Sequence, residues 1–147
     1  MSMVKAALNG ITVLALEQAV AVPFATRQLA DLGARVIKVE RPVEGDFARH
    51  YDTRVKGLSS YFAWLNRSKE SLALDLKSVE AQTVVRQLAS SADVVVQNLS
   101  PGATARLGLS SHELREPNPR LITVDLTGYG NGGPLEDRKA YDLLIQA

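Results

Sequence analysis

The chain has 147 residues, of which 46% are hydrophobic and 22% are charged, and its formal net charge at pH 7 is +1. That balance argues against a nucleic-acid-binding face, which needs clustered basic residues, and the absence of cysteine excludes disulfides and thiolate sites. Because no segment approaches the ~20 apolar residues of a membrane span and no signal peptide is visible, we expect a soluble, cytoplasmic protein.

The first predicted elements are a strand, a helix and a second strand. Residues 11–16 form a short apolar run. Apolar residues then recur at helical spacing over residues 22–32, where Pro23 suits the first turn and Gly33 the end of the helix. Residues 35–40 (RVIKVE) alternate in the manner of a strand.

The middle of the chain is predicted to be less regular. Residues 41–60 carry prolines and glycines among mixed charges, which predicts an excursion over the surface. A short helix is predicted over residues 61–66. Leucine alternates with other residues over residues 71–76, which predicts a third strand.

The remaining elements continue the alternation. Ser78 is a good N-cap for a helix, and its predicted buried face consists of Ala81, Val84, Val85 and Leu88. Residues 93–97 hold a β-branched run typical of a strand covered on both faces. Short helical turns are predicted over residues 103–116, and a fifth strand over residues 121–127.

Strands separated by helical segments indicate right-handed crossovers and therefore an α/β fold with a mostly parallel sheet and flanking helices. No linker or internal repeat is visible, so residues 1–147 are predicted to form one domain. The apolar segment that begins at Ala140 predicts a helix without a C-cap before Ala147, so we expect this domain to be truncated.

In open parallel sheets, ligands bind beyond the carboxyl ends of the strands. The loops at that edge contain Arg41, Asn98 and a glycine cluster that is followed by Arg138 and Lys139. Guanidinium, ammonium and backbone N–H groups suit a phosphate-bearing ligand. The alternative is that these cations are solvated surface charges.

Residues 128–133 (GYGNGG) match the letters of the dinucleotide-binding fingerprint, but we reject that function. The fingerprint opens a helix after the first strand of a βαβ unit, whereas Pro134 follows here. These glycines are better explained by a loop that needs close approach of the backbone.

Other catalytic patterns are weaker. His50 and His112 have no metal-ligand spacing, so no metal site is predicted. Tyr141 and Asp142 are a titratable pair at the start of an apolar segment. Asp142 could support catalysis or be only a carboxylate favoured by a helix N-terminus.

Four segments together resemble the family III CoA-transferases, the group that includes carnitine CoA-transferase and formyl-CoA transferase. They are LADLGARVIKVERPVEGD from Leu29, NRSKESLALDLKS from Asn66, ADVVVQNLSPGA from Ala92 and GYGNGGP from Gly128. The resemblance implies a Rossmann-like, N-terminal, CoA-binding portion of a longer chain. It also implies residues that hold CoA: Arg41, Leu74, Lys77, Asn98, Leu99, Arg106 and Lys139.

The same resemblance implies an enzyme that moves CoA between an acyl-CoA and a small carboxylate through an aspartyl-CoA thioester. The nucleophilic aspartate of the family falls beyond Ala147, so this fragment alone is expected to be inactive, with Asp142 in a supporting role only. Family members form interlocked homodimers. No nucleic-acid or membrane partner is expected.

Two departures from the family pattern bear on the reaction. Val20 stands where formyl-CoA transferase has an active-site glutamine, which disfavours formyl or oxalyl specificity. Tyr141 stands where the related α-methylacyl-CoA racemases have a histidine, and tyrosine is a poor base at neutral pH. Transfer is therefore favoured over racemisation, which remains the alternative. A non-catalytic nucleotide-binding module is the alternative of another class.

Overall fold

A computed structural model describes residues 6–141 of the chain. Its elements are β1 (Thr12–Leu16), α1 (Ala21–Asp31), β2 (Arg35–Glu40), α2 (Ser60–Asn66), β3 (Lys69–Ala73), α3 (Val79–Ser91), β4 (Val94–Gln97), α4 (Ala103–Arg106), α5 (Ser111–Arg115) and β5 (Ile122–Asp125), with a 3₁₀ turn at Phe47–His50. Within this range, no helix is long and apolar enough to cross a membrane. Asp142 and most of the predicted terminal helix lie outside the described residues.

The strands form one sheet in the order β3-β2-β1-β4-β5, and every neighbouring pair is parallel. Strand β1 is central, with Leu14 facing Ile37 of β2 on one side and Val95 of β4 on the other. The predicted α/β fold is confirmed. Because successive strands are added on one side of β1 and then on the other, the loops after β1 and β4 diverge at the topological switch point where such sheets bind ligands.

The two faces of β1 bury different cores, as its period of two requires. Leu14 and Leu16 belong to a cluster that includes Val85 of α3 and Leu114 of α5. Val13 and Ala15 belong to a second cluster that includes Val22 of α1. Burial on both faces explains the nearly uninterrupted apolar sequence of this strand.

The N-cap of α3 is confirmed, because the Ser78 hydroxyl accepts a hydrogen bond from the N–H of Ala81 at 3.1 Å. The predicted buried face was only partly correct. The fully buried residues of α3 are Ala81, Val85 and Ala89, whereas Val84 is exposed and Leu88 is half-buried. The buried residues recur every four positions, and two of the three are alanines. A prediction that favours the more hydrophobic residues therefore selected Val84 and Leu88 and omitted Ala89.

The third strand begins earlier than predicted, at Lys69 rather than Ser71, and ends at Ala73. The start was missed because Lys69 is charged, although its side chain is buried. Leu74 and Leu76 follow the strand and still pack against the core.

The prediction that residues 41–60 run over the surface was partly wrong. Asp46, Ala48 and Ser59 are all buried, with Ala48 completely so. The segment is held inward by hydrogen bonds that Asp46 accepts from the N–H groups of Ala19 and Ala48. A buried acidic residue whose partners lie in other segments cannot be identified from the local pattern of hydrophobic residues.

An aromatic contact attaches α2 to α1. The rings of Phe24 and Trp64 lie 5.6 Å apart, and the guanidinium of Arg27 lies 5.2 Å from the centre of each. Tyr61 continues the row at 6.3 Å from Trp64. These contacts fix α2 beside the first turns of α1.

The glycine loop after β5 folds back on the chain that follows it. A Cβ on Gly128 would collide with the Cβ of Ala140, whereas a Cβ on Gly133 would meet nothing within 4 Å. The glycine at position 128 therefore permits a close approach, which supports the explanation drawn from the sequence.

We predict that Gly128→Ala displaces the segment around Ala140 from the loop, because the added methyl group has no room. Limited proteolysis should cut this segment faster in Gly128→Ala than in the wild type. Gly133→Ala is the matched control and should behave as the wild type. Equal cleavage of all three proteins would contradict the predicted contact.

Candidate functional site

A groove of about 430 Å³ lies at the carboxyl ends of β1 to β4. Its lining comes from residues 16–18 after β1, 39–41 and 45–46 after β2, 74–77 after β3, and residues between 99 and 107 after β4. The groove is where the strand-end rule placed a ligand. Residues 126–141, the described part of the chain after β5, do not line it.

Most of the predicted CoA-contacting residues line this groove: Arg41, Leu74, Lys77, Leu99 and Arg106. Its three basic side chains come from three different strand-end loops and are all exposed. Among residues 6–141, the single ion pair of Arg41 is a long contact with Glu44, at 3.9 Å between two exposed side chains. Solvated ion pairs of this kind are weak, so an anionic ligand can compete for Arg41.

The loop after β4 is shaped around Arg106. Gly102, the N-cap of α4, has φ +67°, and a Cβ there would come within 2.8 Å of Nη1 of Arg106. The guanidinium also donates a hydrogen bond to the carbonyl of Pro101 at 3.3 Å. Glycine at position 102 therefore serves both the left-handed turn and the placement of the arginine.

Asn98 does not line the groove. Its carboxamide instead pairs with the backbone of Gln18, accepting from the N–H at 2.9 Å and donating to the carbonyl at 2.8 Å. Lys139 is an exposed residue that is likewise not part of the groove lining. Contacts of Asn98 and Lys139 with CoA remain predictions, as does the supporting role of Asp142, which lies outside the described residues.

A network of buried charges lies beneath the groove and was missed by the sequence analysis. Lys38 is 1% exposed, and its Nζ lies 2.7 Å from Oδ2 of Asp46 and 3.5 Å from Oε1 of Glu17. Lys69 lies 2.7 Å from the same oxygen of Glu17. Glu17 also accepts a hydrogen bond from the hydroxyl of Thr26 at 2.6 Å. The available signal in the sequence was Lys38, a charged residue between two apolar residues in the middle of RVIKVE.

Lys69 of this network has a lowered pKa. Burial lowers the pKa of Lys69 to about 8 from 10.5, and its attraction to Glu17 offsets only part of that effect. Since the unfolded chain binds the proton more tightly, the free energy of unfolding rises with pH between about 8 and 10.5 through this group.

Glu40, the last residue of β2, sits at the groove in a second ionic cluster. Arg49 donates to both of its carboxylate oxygens, at 3.0 and 2.7 Å, and Ser71 donates to Oε2 at 2.6 Å. Burial alone would raise the pKa of Glu40, but these hydrogen bonds and the N–H of Asp46 outweigh burial and lower it from 4.5 to about 2. Glu40 is therefore a charged anchor of the β2 loop and not an acid that can donate a proton near neutral pH.

Within residues 6–141, no group of three or more histidine, aspartate or glutamate side chains could hold a metal ion. Three exposed cations and a partly apolar lining characterise the groove. The parallel sheet and this groove define an α/β domain of the kind that binds a phosphorylated ligand at its topological switch point.

Comparison with known proteins specifies the family. The model of CoA-transferase family III matches residues 8–147, so the chain belongs to this family. It is 41% identical to acetyl-CoA:oxalate CoA-transferase of Acetobacter aceti, over 97% of this chain and 37% of that protein. It is 40% identical to human succinyl-CoA:glutarate CoA-transferase, over 95% of this chain and 32% of that protein.

The fold comparison agrees. The crystal structure of a CAIB/BAIF family protein from Brucella suis superimposes with a TM-score of 0.89 at 38% identity, covering 97% of this chain and 39% of that one. The chain therefore spans about a third of the length of the relatives it matches.

The depressed pKa of Glu40 predicts a specific acid response. A carboxylate with a lowered folded-state pKa contributes stability above the unfolded value of 4.5, and this contribution is lost as the pH falls towards about 2. Glu40→Gln should lower the stability at neutral pH and flatten its decline over that interval, measured by urea unfolding at a series of pH values.

Glu70→Gln is the matched control, since Glu70 pairs with Arg35 through two exposed side chains. Exposed ion pairs are screened by solvent and contribute little to stability, so this variant should retain nearly the whole acid decline of the wild type. An unchanged acid profile in Glu40→Gln would contradict the anchoring role of Glu40.

Proposed function

We propose that this chain is the CoA-binding portion of an enzyme that transfers CoA from an acyl-CoA to a small carboxylate. The observation that carries the proposal is the convergence of Arg41, Lys77 and Arg106 on one partly apolar groove at the switch point. Relatives named as acetyl-CoA:oxalate and succinyl-CoA:glutarate CoA-transferases support the class of substrates.

The groove suits the chemistry of CoA. Its basic side chains match anionic phosphates, for which arginine provides forked hydrogen-bond donors. Leu74 and Leu99 offer apolar surface to the uncharged parts of the ligand. Three of the four acidic residues of the lining, Glu17, Glu40 and Asp46, are buried and already paired with cations. The fourth, Asp75, is exposed and accepts a hydrogen bond from the backbone N–H of Lys77.

The proposed reaction proceeds through an aspartate supplied by the remainder of the full-length protein. Its carboxylate attacks the thioester carbonyl and releases CoA as a thiolate, leaving a mixed anhydride. The thiolate then attacks the aspartyl carbonyl and releases the donor carboxylate, which leaves an aspartyl-CoA thioester. The acceptor carboxylate repeats the two steps in reverse, so that a new acyl-CoA forms and the aspartate is regenerated.

The proposal includes that residues 1–147 alone bind CoA without turning it over, and that the intact protein works as a homodimer in the cytoplasm. Residues 1–147 act as one N-terminal CoA-binding domain in this proposal. Lys139 and Asp142 would approach the ligand only with the rest of the protein in place.

We predict weak, salt-sensitive binding of CoA to the 147-residue chain, because cations on one open wall supply most of the attraction. Arg41→Gln should weaken binding by about tenfold, equivalent to ~1.4 kcal/mol, as measured by isothermal titration calorimetry. The matched control is Arg120→Gln, an exposed arginine that precedes β5 at the opposite edge of the sheet. Equal binding by all three proteins would contradict the phosphate-binding role of Arg41.

The transfer reaction is tested on the natural full-length protein with several acyl-CoA donors and carboxylate acceptors. We expect exchange of CoA between them and an aspartyl-CoA intermediate that can be trapped and found by mass spectrometry. Exchange of the α-hydrogen of a methylacyl-CoA without transfer would instead identify a racemase. CoA binding with neither reaction would favour the non-catalytic module.

A further inference from the structure

The loop after β1 is held from one side by Asn98. This side chain follows β4, lies 80 residues away in sequence from Gln18, and satisfies both the N–H and the carbonyl of that residue. One carboxamide thus pairs with Gln18 as a neighbouring strand would. The two hydrogen bonds link the loops after β1 and β4 across the switch point, where the strands themselves have ended.

The same loop is held from the other side by Asp46. Oδ1 of Asp46 accepts a hydrogen bond from the N–H of Ala19 at 3.0 Å, while Oδ2 pairs with the buried Lys38 at 2.7 Å. Ala19 has φ +64°, in the left-handed region that disfavours residues with a Cβ. A conformation of this kind persists only where the surrounding structure imposes it.

The clamped residues form part of the groove. Gln18 and Asp46 both line it, whereas Asn98 is not among its lining residues. The carboxamide of Asn98 directs its oxygen and one N–H at the backbone of Gln18, and these two hydrogen bonds shape the wall that Gln18 lines.

From this geometry we infer that Asn98 is a positioning residue, which sets the affinity of the groove for CoA by fixing Gln18 and not by contacting the ligand. The inference rests on the proposed function for its ligand. It specifies a role for Asn98 that differs from the direct contact implied by the family resemblance.

The decisive variant is Asn98→Asp. An ionised carboxylate accepts from the N–H of Gln18 but repels its carbonyl, whereas a protonated carboxyl group both accepts and donates, as the amide does. At neutral pH we expect amide exchange at Gln18 and Ala19 to accelerate and CoA affinity to fall, each by roughly 3- to 10-fold, as for the loss of an intramolecular hydrogen bond. Lowering the pH through the pKa of the new carboxyl group should restore both properties towards those of the wild type at the same pH.

Ser100→Asp is the matched control. It adds the same charge to the groove lining, two residues away, at an exposed side chain. Repulsion of the phosphates should lower its CoA affinity, but amide exchange at Gln18 should match the wild type. Amide hydrogen exchange is measured by NMR without ligand. The effect of a variant on the loop is therefore observed separately from its electrostatic effect on CoA affinity. Asn98→Ala, with its thermal unfolding recorded, serves as a second variant.

Two outcomes would overturn the inference. Unchanged exchange at Gln18 in folded Asn98→Asp and Asn98→Ala would show that the clamp does not hold the loop. Restored exchange at low pH without restored affinity would show that fixing Gln18 does not set the affinity for CoA. Failure of the wild type to bind CoA at all is a separate result: it rejects the proposed ligand, and with it the affinity role, even if the exchange data confirm the clamp.

Discussion

The architecture of the binding edge depends on the buried ion pair between Lys38 and Asp46. Lys38 lies in the middle of β2, and Asp46 reaches back to it from the loop that follows the strand. Removing one member of such a buried pair leaves an uncompensated charge, which typically costs about 3–5 kcal/mol. The pair therefore fixes the loop after β2 at a definite place over the sheet, and the loops that contact Asp46 take their positions from it.

This constraint separates two kinds of charge at the same edge of the sheet. Glu17, Glu40 and Asp46 are buried and neutralised by cations from within the fold. Arg41, Lys77 and Arg106 stand exposed on the strand-end loops. The groove consequently presents three cations and one carboxylate, that of Asp75, to solvent. An inventory by residue type, with four acidic and three basic residues in the lining, would have made the site look acidic.

The sheet order explains why a single hydrogen-bonded clamp matters at this point. β1 has β2 on one side and β4 on the other, so the loops leaving it and β4 turn apart and open the crevice. Hydrogen bonds between strands end there, and side chains such as Asn98 must take over the pairing of backbone groups. Polar residues at the ends of these strands therefore hydrogen-bond the backbone of the loops, in addition to any contact with a ligand.

The sequence by itself determined the alternation of strands and helices, the N-cap at Ser78 and the place of Arg41 in a strand-end loop, because periodicity, capping and loop position are local properties. Lys77 and Arg106 were expected only from the family resemblance. The sequence also carried the motifs by which the family is recognised. Only the tertiary structure revealed that Lys38 and Lys69 are buried, that β3 starts at a lysine, and that Asn98 pairs with Gln18. Each of these depends on a partner distant in sequence, and a buried charge is tolerated only when the completed fold brings that partner within a few ångströms.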